Sequence, residues 1–325
     1  MSIYPRKVIL DVDAGIDDAW ALLLMLKAEQ KNLIEIIAIT CCHGNAELSE
    51  VVDNVCRVLQ AFGRKNIPVY KGVSKPLIPK DLSHKYSFDW LHFFGKNGFG
   101  DIDLGDSDTL DRSCVVENIS AVVALHELTR EFKGLISVLC LAPLTNIALT
   151  LRLFPQFAQN AKELYIMGGN HKGVGNVTSA AEFNFLTDPE AAHIVLGGFH
   201  GPICILPWEA CLGIDISYEW RYDTLGASDA PYISLLNRLE RGISDRAISM
   251  GFNKWVPADS ALCTCFLDEK AITVSYETTC SVELAGEITR GQACVDVVHS
   301  KTPNVRMIDT VDSRLLKDML LWIKD

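Results

Sequence analysis

Four aspartates fall within eight residues near the start of the chain: Asp11, Asp13, Asp17 and Asp18, in Lys7-Val-Ile-Leu-Asp-Val-Asp-Ala-Gly-Ile-Asp-Asp-Ala19. Carboxylates this close repel one another unless a cation or a web of donors holds them. The run contains no His or Cys, and an all-oxygen donor set suits Ca²⁺ or Mg²⁺ rather than zinc. An ion so placed acidifies water, which points to hydrolysis. Two other readings compete. One aspartate could simply cap a helix among solvated neighbours, but Asp11 directly follows an apolar run and should be at least half buried. An aspartyl-phosphate phosphatase also carries Asp-x-Asp after its first strand. That motif continues with Thr or Val where this chain has Gly15, and it lacks the doubled Asp17-Asp18.

The elements that must position these groups follow from periodicity. Val8-Ile-Leu10, an Ala14-Gly15 break and the apolar Trp20–Leu26 run read as strand, turn and helix. Asp11 and Asp13 then share one side of an extended chain. Asp17 and Asp18 fall at the helix start, where free N–H groups and the dipole favour carboxylates. Through the first two thirds, strand patterns (7–12, 34–40, 135–141, 163–167, 202–206) alternate with helical ones (17–28, 46–62, 115–132, 144–151, 188–196). This rhythm predicts an α/β fold: an open, mostly parallel, Rossmann-like sheet with helices on both faces and the active site at its carboxyl edge. The polar segment 71–113 reads as an excursion over that edge. Segment 215–255 is weakly patterned and reads as helical and mobile. Hairpin strands are expected across 272–292, then a last helix at 313–323. No linker divides the chain, so 1–325 reads as a single domain.

Bulk properties narrow the function. With 49% hydrophobic and 22% charged residues the chain is globular. A net charge of −11 argues against sequence-independent binding of nucleic acid or anionic membranes. The eleven cysteines are odd in number, many lie in apolar contexts, and no apolar leader follows Met-Ser-Ile-Tyr-Pro. They read as reduced thiols in a cytoplasmic protein. No apolar stretch is long enough to span a bilayer.

Later strand ends add polar groups. Asn45 could bond a ligand or cap the next helix, and a carbonyl near Leu141 could serve a hard cation. After Met167-Gly-Gly comes Gly175-Asn176 … Glu182-Phe-Asn184-Phe. Glu182 and Asn184 alternate with two rings and so face one way, which suits a polyhydroxylated ligand; a polar surface loop is the plainer reading. Asp259, in Trp255-Val-Pro-Ala-Asp259, is a helix cap or a fifth carboxylate.

Together these pieces resemble the inosine/uridine-type nucleoside hydrolases, the nucleoside N-ribohydrolases. The likeness runs from the N-terminus to about residue 300. Its most specific part is Asp11-Val-Asp13-Ala-Gly15-Ile-Asp17-Asp18-Ala19, followed in the family's order by Pro143-Leu-Thr-Asn146, Met167-Gly-Gly169, Gly175-Asn-Val … Ala181-Glu-Phe-Asn184 and Asp188-Pro-Glu-Ala191. The resemblance implies Ca²⁺-dependent hydrolysis of ribonucleosides to ribose and free base by a homodimer or homotetramer. By position, Asp13, Asp18, Asp259 and the Leu141 carbonyl would hold the ion, with Asp18 bidentate. Asp17, Asn45, Met167, Asn176, Glu182 and Asn184 would hold substrate. Asp13 would take a proton from the attacking water, and Asp11 would orient the loop. The chemistry fits independently, because nearby carboxylates stabilise the oxocarbenium-like sugar formed when a glycosidic bond breaks.

The pattern departs from the family in two places. Members that accept most nucleosides carry a His before the late aspartate as acid for the leaving base; here that residue is Ala258. The early loop has Phe94-Gly95 where the family often has His-Gly. His92 could compensate, Trp90, Trp208 and Trp255 could stack on a base, and Glu209 could be an acid. Each also reads as a packed aromatic or a solvated group. Two rivals follow: a nucleoside- or ribose-binding protein without a leaving-group acid, and a metal-dependent phosphohydrolase, which would need cationic groups for phosphate.

Overall fold

The protein is described here by a computed structural model covering residues 5–79, 92–105 and 109–325. Val8, Ile9 and Leu10 in strand β1 (Arg6–Val12) are buried on both faces, as a central parallel strand requires. β1 lies between β2 (Ile34–Cys41) and β5 (Ile136–Cys140). Outward from β2 come β3 (Val69–Lys71) and β4 (Val115–Val116); outward from β5 come β6 (Glu163–Met167), β7 (Ile203–Leu206), β11 (Val305–Val311) and β8 (Ile272–Thr278). Every pairing in this nine-stranded sheet is parallel except β11 with β8. The chain winds from β1 out to β4, then returns to β5 on the other side. The crevice beyond the carboxyl ends of β1 and β5 is therefore the switch point where such sheets bind ligands.

Alternating residues of β1 feed two cores. Val8, Leu10 and Val12 pack with α1 (Ile16–Gln30), α2 (Leu48–Phe62), α9 (Pro231–Ser249), α10 (Ala258–Leu267) and α11 (Ser313–Leu320). Ile9 packs on the other face with α3 (Ala121–Glu131), α4 (Thr145–Leu153), α5 (Phe157–Asn160) and α7 (Pro189–Gly198). Two short helices, α6 (Phe183–Thr187) and α8 (Trp208–Leu212), follow β6 and β7. α1 is apolar nearly all round because α10 covers the side that the sheet does not. Each fully buried Leu among Leu22–Leu24 stabilises this arrangement by roughly 1.5–3 kcal/mol.

The five strands read from the sequence are β1, β2, β5, β6 and β7. Two readings need correction. The helix expected from 115 begins at Ala121, where the Ser120 side chain accepts from the Val123 N–H, while Val115–Val116 pair with β3; β-branched residues prefer the pleat. The strands after 272 are not one hairpin, because β8 pairs with β11 and β9 (Cys280–Val282) pairs with β10 (Ala293–Val295) in a separate sheet. Alternation identifies a strand but not its partner. Segment 215–255 holds a π-helical turn (Trp220–Leu225) and the 19-residue α9. All eleven cysteines are unpaired, and ten are buried. No described helix is long and apolar enough to cross a membrane.

Candidate active site

The aspartates occupy the first βα turn. Ala14 has φ 38°, a left-handed conformation uncommon outside glycine, and it turns the chain sharply enough to stack Asp13 over the start of α1. Asp18 Oδ2 accepts the Gly15 N–H at 2.9 Å, so this residue does cap its own helix. Its other oxygen is buried without a partner, an arrangement that costs about 1–3 kcal/mol unless something else binds it. Asp17, Asp18 and Asp259 offer oxygens that all lie within 4.8 Å of one another. Asp259 comes from the first turn of α10, so two helix N-termini converge on the cluster and their dipoles offset part of its charge.

Asp13 sits beside Asp18 under a separate clamp: Oδ2 accepts the Asn45 N–H at 2.8 Å and Oδ1 accepts Asn45 Nδ2 at 3.1 Å. A Cβ on Gly44 would lie 1.9 Å from Asp13 Oδ2, so only glycine leaves room for the carboxylate. Behind it, Asp11 Oδ1 accepts from Thr40 Oγ1 at 2.6 Å and Asn146 Nδ2 at 2.8 Å. Burial pushes the Asp13 carboxyl up to about 8 and that of Asp11 up to about 7. Burial and mutual repulsion push Asp17, Asp18 and Asp259 well above the usual carboxylate range. An all-oxygen set with an orphaned buried oxygen and this much uncancelled repulsion fits a hard divalent cation.

The amide side of the site is the loop after β6. Gly168 and Gly169 have φ 156° and 68°, and a Cβ on either would press within 3.0 Å of the Phe185 ring. Glu182, fully buried, caps α6 by accepting N–H groups from Gly169 at 2.7 Å, Asn184 at 2.8 Å and Phe185 at 3.1 Å. Its carboxyl is raised by burial to about 7. Asn184 Nδ2 donates to the carbonyls of Leu141 at 2.9 Å and Met167 at 3.1 Å, joining the ends of β5 and β6. Asn176 Oδ1 accepts the Phe183 N–H at 2.9 Å.

Asp17, Asn45, Leu141, Met167, Asn176, Glu182, Asn184 and Asp259 all line one cavity at this edge, with Asp13 and Asp18 behind them. Phe93, Phe94, Trp208, Tyr218, Phe252 and Trp255 add an aromatic lining to the same cavity. Trp208 and Trp255 are thus placed at the cavity, and the Ala258 methyl also faces it. His92 is half-buried and absent from the lining, and Trp90 lies outside the described residues. Glu209 accepts three backbone N–H groups, from His171, Lys172 and Val174 at 2.7–3.0 Å. It anchors the loop from outside instead of facing the cavity. Sequence reasoning missed Phe93, Tyr218 and Glu240, single lining residues with no local motif, and read Trp20, two residues beyond Asp18, only as part of the apolar helix.

The architecture is that of an open, doubly wound α/β fold with an acidic, amide-rimmed cleft at its switch point. Residues 8–318 match the family described as inosine-uridine preferring nucleoside hydrolase, and the chain belongs to that family, whose members break N-glycosyl bonds. It is 28% identical over 315 residues to the inosine-uridine preferring nucleoside hydrolase of Leishmania major, covering 93% of this chain and 91% of that protein. With the enzyme of the same description from Crithidia fasciculata it shares 34% over 218 residues, 66% of this chain and 62% of the relative. The solved structure of an inosine-guanosine nucleoside hydrolase superposes with a TM-score of 0.87 at 26% identity over 98% of both chains.

Proposed function

We propose that the protein hydrolyses unphosphorylated ribonucleosides to ribose and free base, with Ca²⁺ in the acidic cluster. One observation carries this reading: a single cavity is lined both by carboxylates and amides and by aromatic rings, the two surfaces that a sugar and a base require. Asp13, Asp18, Asp259 and the Leu141 carbonyl would hold the ion, with Asp17 in reach. When bound, such an ion supplies charge that acidifies a neighbouring water and anchors ribose hydroxyls. Asp13 takes the proton from the attacking water as general base, its carboxylate fixed by Asn45. Asp17, Asn176, Glu182 and Asn184 grip the hydroxyls and keep C1′ facing that water. The carboxylates stabilise positive charge as it develops on the sugar, and Trp208 and Trp255 flank the leaving base.

Lys254 is the only cation among the described lining residues, and it is paired with Asp215 at 3.0 Å; a phosphate would find little to hold it. Ala258, which supplies no leaving-group acid, favours a second reading in which the protein binds nucleosides without turning them over. Unpaired cysteines support a cytoplasmic setting, and assembly as a homodimer or homotetramer belongs to the same reading. The test is release of free ribose from inosine, adenosine, guanosine, uridine, cytidine and 5′-nucleotides, with and without a Ca²⁺ chelator. Ribose from nucleosides, lost on chelation, supports the hydrolase. Silence with calorimetric nucleoside binding supports the binder.

A further inference from the structure

Glu240, on α9, is 5% exposed, and Arg221, on the π-helical turn, is fully buried. They form an ion pair with Arg221 Nη2 at 2.7 Å and Nε at 2.8 Å from Glu240 Oε2. The same carboxylate accepts both neighbouring indoles: Trp20 Nε1 donates to Oε2 at 3.1 Å and Trp255 Nε1 to Oε1 at 2.5 Å. The guanidinium lies 4.3 Å from the Trp20 ring and 5.5 Å from the Trp255 ring, and the two rings meet edge to face at 5.8 Å. Arg221 Nη1 donates to Asn237 Oδ1 at 2.8 Å, and Asn237 Nδ2 donates to the Gly226 carbonyl at 2.9 Å, which locks the turn to α9.

A buried ion pair is a poor source of stability compared with apolar residues of the same volume, and π-turns are frequent at functional sites. What this pair does well is fix direction. Both oxygens of Glu240 already accept protein donors, Oε2 from Trp20 and Arg221 and Oε1 from Trp255, so its orientation is set by the protein. Yet it lines the cavity together with Trp20 and Trp255. Trp20 lies two residues beyond Asp18, and Trp255 four before Asp259. We propose that Glu240 and Arg221 are positioning residues that set the Trp255 indole as a wall of the base site, and so determine which bases the enzyme accepts. This rests on the reading of the cavity given above. Neither makes a hydrogen bond to Asp17, Asn176, Glu182 or Asn184, the residues assigned to ribose.

The test uses the Ca²⁺-loaded protein, Glu240→Gln, and the double variant Arg221→Met/Glu240→Leu, which replaces the pair by apolar residues that a buried site tolerates. Steady-state kinetics over nucleosides with different bases are compared with inhibition by free ribose. Misplacing a binding wall by about 1 Å can cost about 10²-fold. The expected result is a KM raised by about that factor, with the ranking of bases altered and ribose inhibition within twofold. An unchanged ranking in the double variant, or KM and ribose inhibition moving together, overturns the proposal. Indole emission on adding free hypoxanthine or uracil reads the same geometry without turnover. If wild type releases no ribose but its emission responds and the variants lose that response, the hydrolase reading fails and the positioning role stands. If neither free base perturbs wild-type emission, the positioning role falls with or without turnover.

Discussion

The polar and the aromatic lining of the cavity are built in opposite ways. In the polar lining each segment brings its own motif: four aspartates in one turn, a Gly-Gly loop followed by Glu182 and Asn184, and Asp259 at a helix start. The aromatic lining comes from positions 93, 94, 208, 218, 252 and 255, with no repeated pattern beside them to mark a site. Charge explains the difference. A carboxylate taken out of water needs capping amides, glycine clearance or an ion close by in the chain, and those supports leave a readable pattern. An aromatic ring needs only apolar neighbours, and in sequence it looks like core.

If the acidic cluster holds the ion, its removal should have the largest effect. Chelation is expected to abolish turnover and to expose a pH dependence of stability. In the ion-free protein Asp11 and Asp13, raised to about 7 and 8 by burial, keep protons that the unfolded chain releases near pH 4. The native state then binds more protons, so this contribution is fullest below about pH 4 and is lost as pH rises towards 8. Melting temperatures at pH 5 and pH 8 should diverge with chelator and draw together with Ca²⁺; equal divergence in both would place the ion elsewhere. Next, Asp13→Asn should lower kcat by about 10³-fold, the scale of removing one transition-state interaction, while the circular dichroism melt stays close to wild type. Unchanged turnover would end its role as base.

Smaller effects sharpen the division between sugar-holding and base-holding residues. Asn176→Ala should raise KM for all nucleosides by about tenfold, equivalent to about 1.4 kcal/mol, without altering the ranking of bases. A base-dependent change would count Asn176 among the base-holding residues. Glu209→Ala removes the acceptor for three N–H groups of the Asn176 loop, and should cost about 1–3 kcal/mol of stability with only a few-fold loss of kcat/KM. A kcat loss as large as that of Asp13→Asn would instead revive Glu209 as an acid.

What the sequence made legible follows the same division. β1, β2 and β5–β7 are continuous apolar runs at βαβ spacing, so periodicity alone finds them and places their following loops at one edge. β3 and β4 are three and two residues long, too short to show a period, and they exist because β2 offers an edge to pair with. The acidic residues are legible without their partners: Asn146 behind Asp11 and Asn45 around Asp13 come from segments that follow other strands. Resemblance gives Asp17 to the sugar, and geometry puts it equally among the carboxylates that could hold the ion. Glu240 and Arg221 could not be read at all, since each charge is intelligible only once folding sets it beside the other.

Gly44 has a consequence for anyone who inherits or engineers this gene. The position has neither a left-handed backbone nor an exposed turn to flag it, and a change to alanine would score as mild on any scale of size or hydropathy. Yet one added methyl would occupy the space of the Asp13 carboxylate. Variation there should therefore behave as an active-site lesion hidden in a loop: well expressed, correctly folded and silent. In a saturation library sorted for activity, position 44 should return glycine alone.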